Sequence, residues 1–408
     1  MAIETPERLP ELERIVDLGV REGFSTSRHL DHARRQAIER RYSDLLIVDA
    51  DAHHTEVGTL ADQIKYIEDS VLRHRFEASL RTGTSMLFSD PTQQSIAGRL
   101  LRYDHGRSET AEFGEPKDVT ILRRELDAIG FDFQVVFTTA MLNLGMHPDP
   151  YIQTALSWAY SRWFVEEIIP HDPRIKTMVY LPFNDPAACL RMVDYFADKP
   201  GVVGFMVASA HHRPVHDNAY MRLYAALEER DIPIGFHAIY HQRERVVEVM
   251  NRFISVHSLG FIMYNMIHII NLVINGIPER FPKLKILWIE NGLAVWPFLM
   301  QRLDNEYMMR TSEAPLLKKL PSEYMRDMYY TSHPLETNNA EALEMTMRMI
   351  HAETQLVFSS DYPHWDFNLP SMIYDLPFLS EQAKRNILGE NARRLFKLES
   401  KGAAAKLG

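Results

Sequence analysis

Cysteine is almost absent from this 408-residue chain. Cys189 stands alone, so no disulfide can form within it, and the chain fits a reducing compartment. The opening residues, MAIETPERLPELER, have no apolar core of the kind a signal peptide needs. We find no uninterrupted apolar run that approaches the roughly 20 residues of a membrane span. No basic run stands out either. Forty-five Lys and Arg against fifty-five Asp and Glu leave a net charge of −10, which argues against nucleic acid as the main partner. No repeat of 20–50 residues is visible. Together these absences predict a cytoplasmic protein that binds neither membrane nor nucleic acid.

What is present is ordinary globular composition, 46% hydrophobic and 25% charged. The length allows one large domain or two average ones. Short runs rich in Val, Ile, Leu and Phe predict strands over 45–51, 133–138, 175–181, 202–207, 232–237, 285–290, 328–331 and 355–360. Helical patterns separate most of them, over 151–169, 186–197, 218–230, 244–275, 293–310 and 338–351. Strand–helix alternation of this kind is the pattern of an α/β (β/α)8 barrel. Residues 45–398 would form it. Residues 1–44 read as a charged helical arm with Ser25, Thr26 and Ser27 around its cap. Residues 55–130, with polar stretches such as Arg102-Tyr-Asp-His-Gly-Arg107, are too long for one crossover. As the loop after the first strand they belong on the catalytic face, as a cap or pocket wall, with an oligomer contact as the alternative. Residues 399–408 read as a flexible tail.

The chemistry gathers at strand ends. Ile47-Val-Asp-Ala-Asp-Ala-His-His54 places Asp49, Asp51 and His53 two apart, hence on one face of an extended chain. Asp51 and His53 are good ligands for a divalent metal. His237 closes strand five, Glu290 strand six and Asp361 strand eight. In a barrel all of these share the C-terminal rim, where catalytic residues gather.

These residues sit in VDADAH (48–53), RPVHDNAYMRLYAALEERDIPIGFH (213–237), NGIPERFPKLKILWIENG (275–292) and FSSDYPHWD (358–366). Over residues 44–398 the chain resembles the amidohydrolase-2 family, which includes aminocarboxymuconate-semialdehyde decarboxylase. The resemblance implies a metal held by Asp51, His53, His237 and Asp361. Asp51 stands where the family usually has a first histidine. Glu290 stands where many relatives carry histidine, and is a candidate ligand, bridge between metals or base. The mixed N/O set suits Zn2+, Mn2+ or Fe2+ without choosing among them. Asp361 and Glu290 are the candidate catalytic groups and Asp49 a structural one. His216, His257, Arg213 and His364 are candidate contacts to substrate. His54, His211, His212, His241 and His268 have a structural or solvent role as the alternative. The apolar stretch from Phe261 to Ile274 reads as a buried helix or a subunit contact, and a homodimer or higher homo-oligomer is expected.

The expected activity is a metal-dependent hydrolase of a small organic substrate, with metal-activated water attacking an amide, ester, thioester or C–C bond beside a carbonyl. The alternative is non-oxidative decarboxylation of an aromatic or unsaturated acid. Glu290 in place of histidine tilts the sequence towards hydrolysis, because an ionised carboxylate accepts a proton more readily than it delivers one.

Overall fold

The computed structural model describes residues 26–54, 60–83, 114–208, 210, 213–239, 247, 249–250, 252–364 and 366–400. Expectations for residues 1–25, for the parts 55–59 and 84–113 of the insertion, for His211, His212 and His241, and for 401–408 lie outside them.

Eight parallel strands run in sequence order around one sheet: β1 (Val48–His54), β2 (Phe133–Thr138), β3 (Ile175–Tyr180), β4 (Val202–Ala208), β5 (Ile234–His237), β6 (Ile286–Ile289), β7 (Tyr329–Thr331) and β8 (Leu356–Val357). Nearly every strand residue is buried. This is why the strands read as continuous apolar runs rather than alternating ones. The helices Lys117–Ile129, Pro150–Trp163, Pro186–Phe196, Met221–Arg230, Met263–Ile274, Val295–Met309 and Ala340–Met349 cover the outside. The architecture is the expected (β/α)8 barrel.

Two strands differ from expectation in a way that matters for the site. β1 begins three residues later than predicted and continues through His54. All of its acidic and imidazole side chains therefore belong to the ladder itself. β8 is only two residues long. Beyond it, Phe358 N donates to Ile387 O (2.9 Å) and Ser359 N to Ser332 Oγ (3.0 Å), so other acceptors replace the β7 ladder. The same segment still closes the barrel onto β1. Ala50 N donates to Phe358 O (2.9 Å), Asp361 N to Asp51 O (2.7 Å) and His53 N to Tyr362 O (2.8 Å). The seam of the barrel is thus stitched at the residues that carry the chemistry.

The predicted long helix over 244–275 is a series of shorter turns, Phe253–Ser255, Val256–Gly260 and Met263–Ile274. By length and composition Val256–Ile274 is apolar enough to cross a membrane, with mean hydropathy 1.4, contrary to the sequence reading. Its buried residues Asn265, His268, Ile269, Leu272 and Val273 follow i, i+3, i+4, i+7, i+8 spacing, the one-sided pattern of a helix packed on a core. The helix Thr26–Glu39 packs on Lys117–Ile129, and Leu30 and Ala33 join the core.

Beneath the barrel mouth the strands close up tightly. A Cβ on Gly235 would lie 2.5 Å from Ile289 Cδ1 and 3.0 Å from Met178 Cε. Only glycine fits there, two residues below His237.

Candidate active site

The C-terminal ends of β1, β5, β6, β7 and β8 bring Asp51, His53, His237, Glu290, His333 and Asp361 together, all of them buried. Along β1, Asp51 and His53 share one face, and the register against β2 shifts between Asp49 and Ala52. Asp49 lies lowest and is fully engaged. It accepts from Ser360 N (2.8 Å) and Ser360 Oγ (2.5 Å), from Gln134 Nε2 (3.3 Å) and from Asp51 N (3.3 Å). It ties β1 to the β8 segment, a structural task. Burial pushes its carboxyl up to about 7, against the pull of the Ser360 hydrogen bonds.

His53 Nε2 is the centre of the group. It lies 3.3 Å from Asp51 Oδ1 and 3.2 Å from Asp361 Oδ1, and 3.3 Å from His237 Nε2. His237 Nε2 is 3.6 Å from Asp51 Oδ1. The other nitrogen of His237 sits 2.7 Å from Ala238 O. A carbonyl only accepts, so Nδ1 carries the proton and the Nε2 lone pair faces the group. Two imidazole nitrogens and two carboxylates converge on one point.

Asp361 and His364 form a second contact. His364 Nδ1 is 2.8 Å from Asp361 Oδ1. Its ring stacks on His53 at 4.2 Å, and its Nε2 reaches Thr139 Oγ1 at 3.3 Å. Glu290 lies behind His237, with Oε2 3.6 Å from Nδ1, and its backbone N–H donates to Thr331 Oγ1 (2.9 Å). Glu290 and Asp361 both have positive φ, 58° and 57°. That conformation is costly for a residue with a Cβ, and such strain clusters at functional sites.

His333 is a site residue that the sequence candidates do not include. It lies two residues beyond the end of β7, with its side chain fully buried and Nδ1 3.6 Å from Asp361 Oδ2. Its Nε2 is 3.0 Å from Asp366 O. The strand-end rule that finds His237 and Asp361 applies equally to Thr331-Ser332-His333. A strand of three residues gives too short a pattern to carry the count that far.

The remaining candidates spread outward. His257 Nε2 lies 3.7 Å from Asp366 Oδ2, so it approaches the site through the turn that anchors His333. Arg213 pairs with Asp217 at 3.3 Å with 43% of its side chain exposed, a surface ion pair. His216 adjoins Asp217, which caps the turn Asn218–Tyr220. Among the described residues, the groups that could hold a metal ion include neither residue, nor His257. His54 points to the opposite face of β1 and contacts Asp118 (3.0 Å) and Tyr160 (2.9 Å), a structural role. His268 is buried behind β5, and burial lowers it to about 3.

The electrostatics favour a bound cation. Burial alone would depress His53, yet Asp361 and Asp51 outweigh it and raise His53 to about 10. Burial would raise Asp51, yet His237 and His53 bring it down to about 2. Against the same burial penalty, His364 and His333 hold Asp361 well below the usual carboxylate range. The pocket therefore keeps positive charge against its own desolvation cost. Both Asp51 oxygens and Asp361 Oδ2 are buried without a hydrogen-bond partner. Such atoms are costly unless something else satisfies them. Asp51, His53, His237 and Glu290 offer ligand atoms that all lie within 4.8 Å of one another. This donor set fits a divalent transition metal.

Comparison with known proteins agrees with this geometry. A gamma-resorcylate decarboxylase from Polaromonas is 23% identical over 251 residues, spanning 58% of this chain and 74% of the relative. A decarboxylase from Emericella nidulans is 24% identical over 205 residues, covering 47% of this chain and 60% of the relative. The 5-carboxyvanillate decarboxylase of Sphingomonas paucimobilis superposes with a TM-score of 0.64 at 21% identity, covering 87% of this chain and all of that one. A dihydroxybenzoic acid decarboxylase from Polaromonas, solved with bound manganese and 2-nitroresorcinol, gives 0.62 at 19% identity over 87% and 97% of the two chains. The family model described as amidohydrolase matches residues 115–398, and with that match over most of its length the chain belongs to the amidohydrolase-2 family.

Proposed function

We propose that this enzyme is a metal-dependent, non-oxidative decarboxylase of aromatic carboxylic acids, with hydroxy-substituted benzoates as the first class to test. The observation that carries the reading is the buried Asp51–His53–His237–Asp361 group at the barrel mouth, in a chain similar to decarboxylases of such acids. Those four residues would hold a divalent ion. Manganese, found in one similar structure, is the first choice, and Zn2+ or Fe2+ suit the same donors. The ion would supply Lewis acidity, fixing the substrate carboxylate and offsetting charge that develops on the ring.

The chain's own groups handle the proton. When the carboxylate leaves as CO2, its bonding electrons stay on the ring carbon, which must then take one proton. The Asp361–His364 pair, with His364 Nδ1 2.8 Å from Asp361 Oδ1, is placed to hold the proton between the two groups and pass it on. His364 and Thr139 (3.3 Å) form the wall on that side, with His364 in the substrate-contact role. Glu290 faces the outer nitrogen of His237 and serves to orient that imidazole. This weakens the argument for hydrolysis, which makes Glu290 a base for water. The insertion after β1 is assigned to the cap that selects the substrate, with its chosen test being exchange of the loop for that of another decarboxylase. The enzyme is read as a homo-oligomer acting on small molecules in the cytoplasm.

The deciding experiment incubates the manganese-loaded protein in D2O with hydroxybenzoates, and separately in 18O-labelled water with amides, esters and thioesters. CO2 release with one deuterium at the vacated ring carbon is the expected result. Label from 18O-water in a cleaved product, without CO2 from any acid, would replace decarboxylation by hydrolysis.

A further inference from the structure

The loop that carries Asp361 and His364 is supported from outside the barrel. It closes on itself beyond β8, with Asn368 N donating to Ser360 O at 2.8 Å. Two of its side chains serve the site. Asp361 Oδ1 lies 3.2 Å from His53 Nε2, and the His364 ring stacks on His53 at 4.2 Å. Two others, Tyr362 and Phe367, belong to the core and meet edge to face at 5.0 Å. On Phe367 sits His29, from the helix Thr26–Glu39, with ring centroids 4.5 Å apart at 79°. The geometry points to this helix as a brace for the loop, with His29 as a positioning residue that, through Phe367, sets where His364 stands against Asp361. It rests on the reading of Asp361 and His364 as the pair that holds the proton.

Three observations support it. The first is how the loop is held. The barrel pins its start, where Asp361 N donates to Asp51 O and Tyr362 O accepts from His53 N. The limb that holds His364 lies on no strand, since β8 ends at Val357. It depends on turns instead: His364 N donates to Asp361 O (2.8 Å) and Phe367 N to His364 O (3.3 Å). A shift of Phe367 therefore passes to His364. A misplacement of about 1 Å at a reacting group can cost roughly a hundred-fold in rate.

The second is His29 itself. It is buried, and burial, with His32 nearby, lowers its imidazole to about 4. At neutral pH the ring is uncharged, and it meets Phe367 in the edge-to-face manner of an aromatic pair. Leu30 and Ala33 of the same helix join the core, so the contact is made from a fixed base.

The third is a second fastening. Just past the helix, Arg40 Nε and Nη2 reach Asp375 Oδ1 and Oδ2 at 3.0 and 2.6 Å, and the Tyr42 ring meets that of Tyr374 at 5.8 Å. A two-pronged pair fixes direction as well as distance. The arm thus grips the chain at Phe367 and again at Tyr374 and Asp375. Both grips fall on the stretch that leads away from Asp361, and neither uses the strand ladder.

The test compares the full-length, manganese-loaded wild type with His29→Ala, His29→Phe, His364→Ala and the double variant His29→Ala/His364→Ala. With a hydroxybenzoate that the wild type decarboxylates, His29→Ala should lose roughly ten- to a hundred-fold in kcat with KM little changed. His29→Phe keeps a ring on Phe367 and should restore most of the loss. Once His364 is gone, His29→Ala should cost nothing further, because the two residues act as one. Losses that add, an unchanged kcat in His29→Ala, or a failure of His29→Phe to restore it would each overturn the inference. If His29→Ala does not fold, Arg40→Ala takes its place in the same comparison with His364→Ala. Electron paramagnetic resonance of the bound Mn2+ gives a reading without substrate. His364 touches both Asp361 and His53, so His29→Ala should alter the spectrum and His29→Phe should return it to that of the wild type. If no acid releases CO2, the decarboxylase reading falls and the spectrum alone decides the brace, which an unchanged spectrum in His29→Ala removes.

Discussion

The two mouths of the barrel treat charge in opposite ways. At the N-terminal mouth several acidic groups have a basic partner on the chain. Asp231 meets Lys285 at 2.7 Å and Lys397 at 2.9 Å, Asp172 meets Arg174 at 2.7 Å, and Asp194 meets Arg230 at 2.7 Å. Most of these groups retain contact with water. At the C-terminal mouth Asp51, Glu290 and Asp361 are buried, and among the described residues Asp51 and Asp361 meet His53, Glu290 meets His237 and Asp361 meets His333. A structure selected for stability alone would not leave carboxylate oxygens unsatisfied. Their arrangement makes sense if a cation completes it.

The contrast breaks most sharply at the ligands. His237→Ala should lose most of the bound metal, read by elemental analysis of protein purified without chelator. Full metal content in both that variant and His53→Ala would remove the assignment. Asp361→Asn keeps the side chain's size and removes its charge and its proton chemistry. We expect turnover to fall on the order of 10²–10⁴-fold, with metal content measured on the same samples. Normal turnover in a fully loaded variant would refute its role.

Gly235 tests the packing beneath the same mouth. Gly235→Ala forces Ile289 or Met178 aside and should destabilise the protein by about 1–3 kcal/mol in urea unfolding. An unchanged midpoint would mean the barrel interior yields more easily than its close contacts imply.

Acidity probes the site without mutation. In metal-free protein His53 is raised from 6.5 to about 10. Between those values the folded state holds a proton that the unfolded chain has lost. The stability due to His53 is thus complete below about pH 6.5 and declines as pH rises towards 10. Asp51, lowered from 3.8 to about 2, behaves conversely: its contribution is present above about pH 3.8 and is lost as pH falls through 2. Metal must displace the His53 proton, so Mn2+ affinity should rise over the same interval in which metal-free stability declines. Calorimetry of stripped wild type and of His53→Gln resolves this. Parallel pH slopes for the two proteins would remove His53 as the cause.

The smallest effect belongs to the other mouth. Asp231→Asn removes charge from an exposed cluster at a position with φ 52°, which asparagine tolerates. The stability change should be about 0.5 kcal/mol or less. A loss as large as that of Gly235→Ala would erase the distinction between the mouths.

Much of this architecture is legible in the sequence because it depends on short-range order. β2 is delimited to the residue, since Phe133, Val135, Val136 and Phe137 cluster between the polar Asp132 and Thr138. Asp51 and His53 stand out because alternation in a strand fixes their common face. His237 and Asp361 emerge from the rule that strand ends share a rim. The turns just beyond the strands are harder to read. Glu290 and Asp361 turn through positive φ without being glycine, and no local preference announces that. Arg213 has the chemistry for a substrate carboxylate, but Asp217 four residues on provides its partner.

By itself, then, the sequence determined where the eight strands fall along the chain and that Asp51, His53, His237 and Asp361 reach the rim, because both depend on neighbours a few positions away. Only the tertiary structure decided who meets whom there. His333 and Asp361 are 28 positions apart in sequence, and they face each other because β7 and β8 are adjacent and the barrel closes by hydrogen bonds from Ala50, His53 and Asp361. Closure sets the relative height and rotation of strands that are remote in sequence. That is a property of the whole ring, and no single segment contains it.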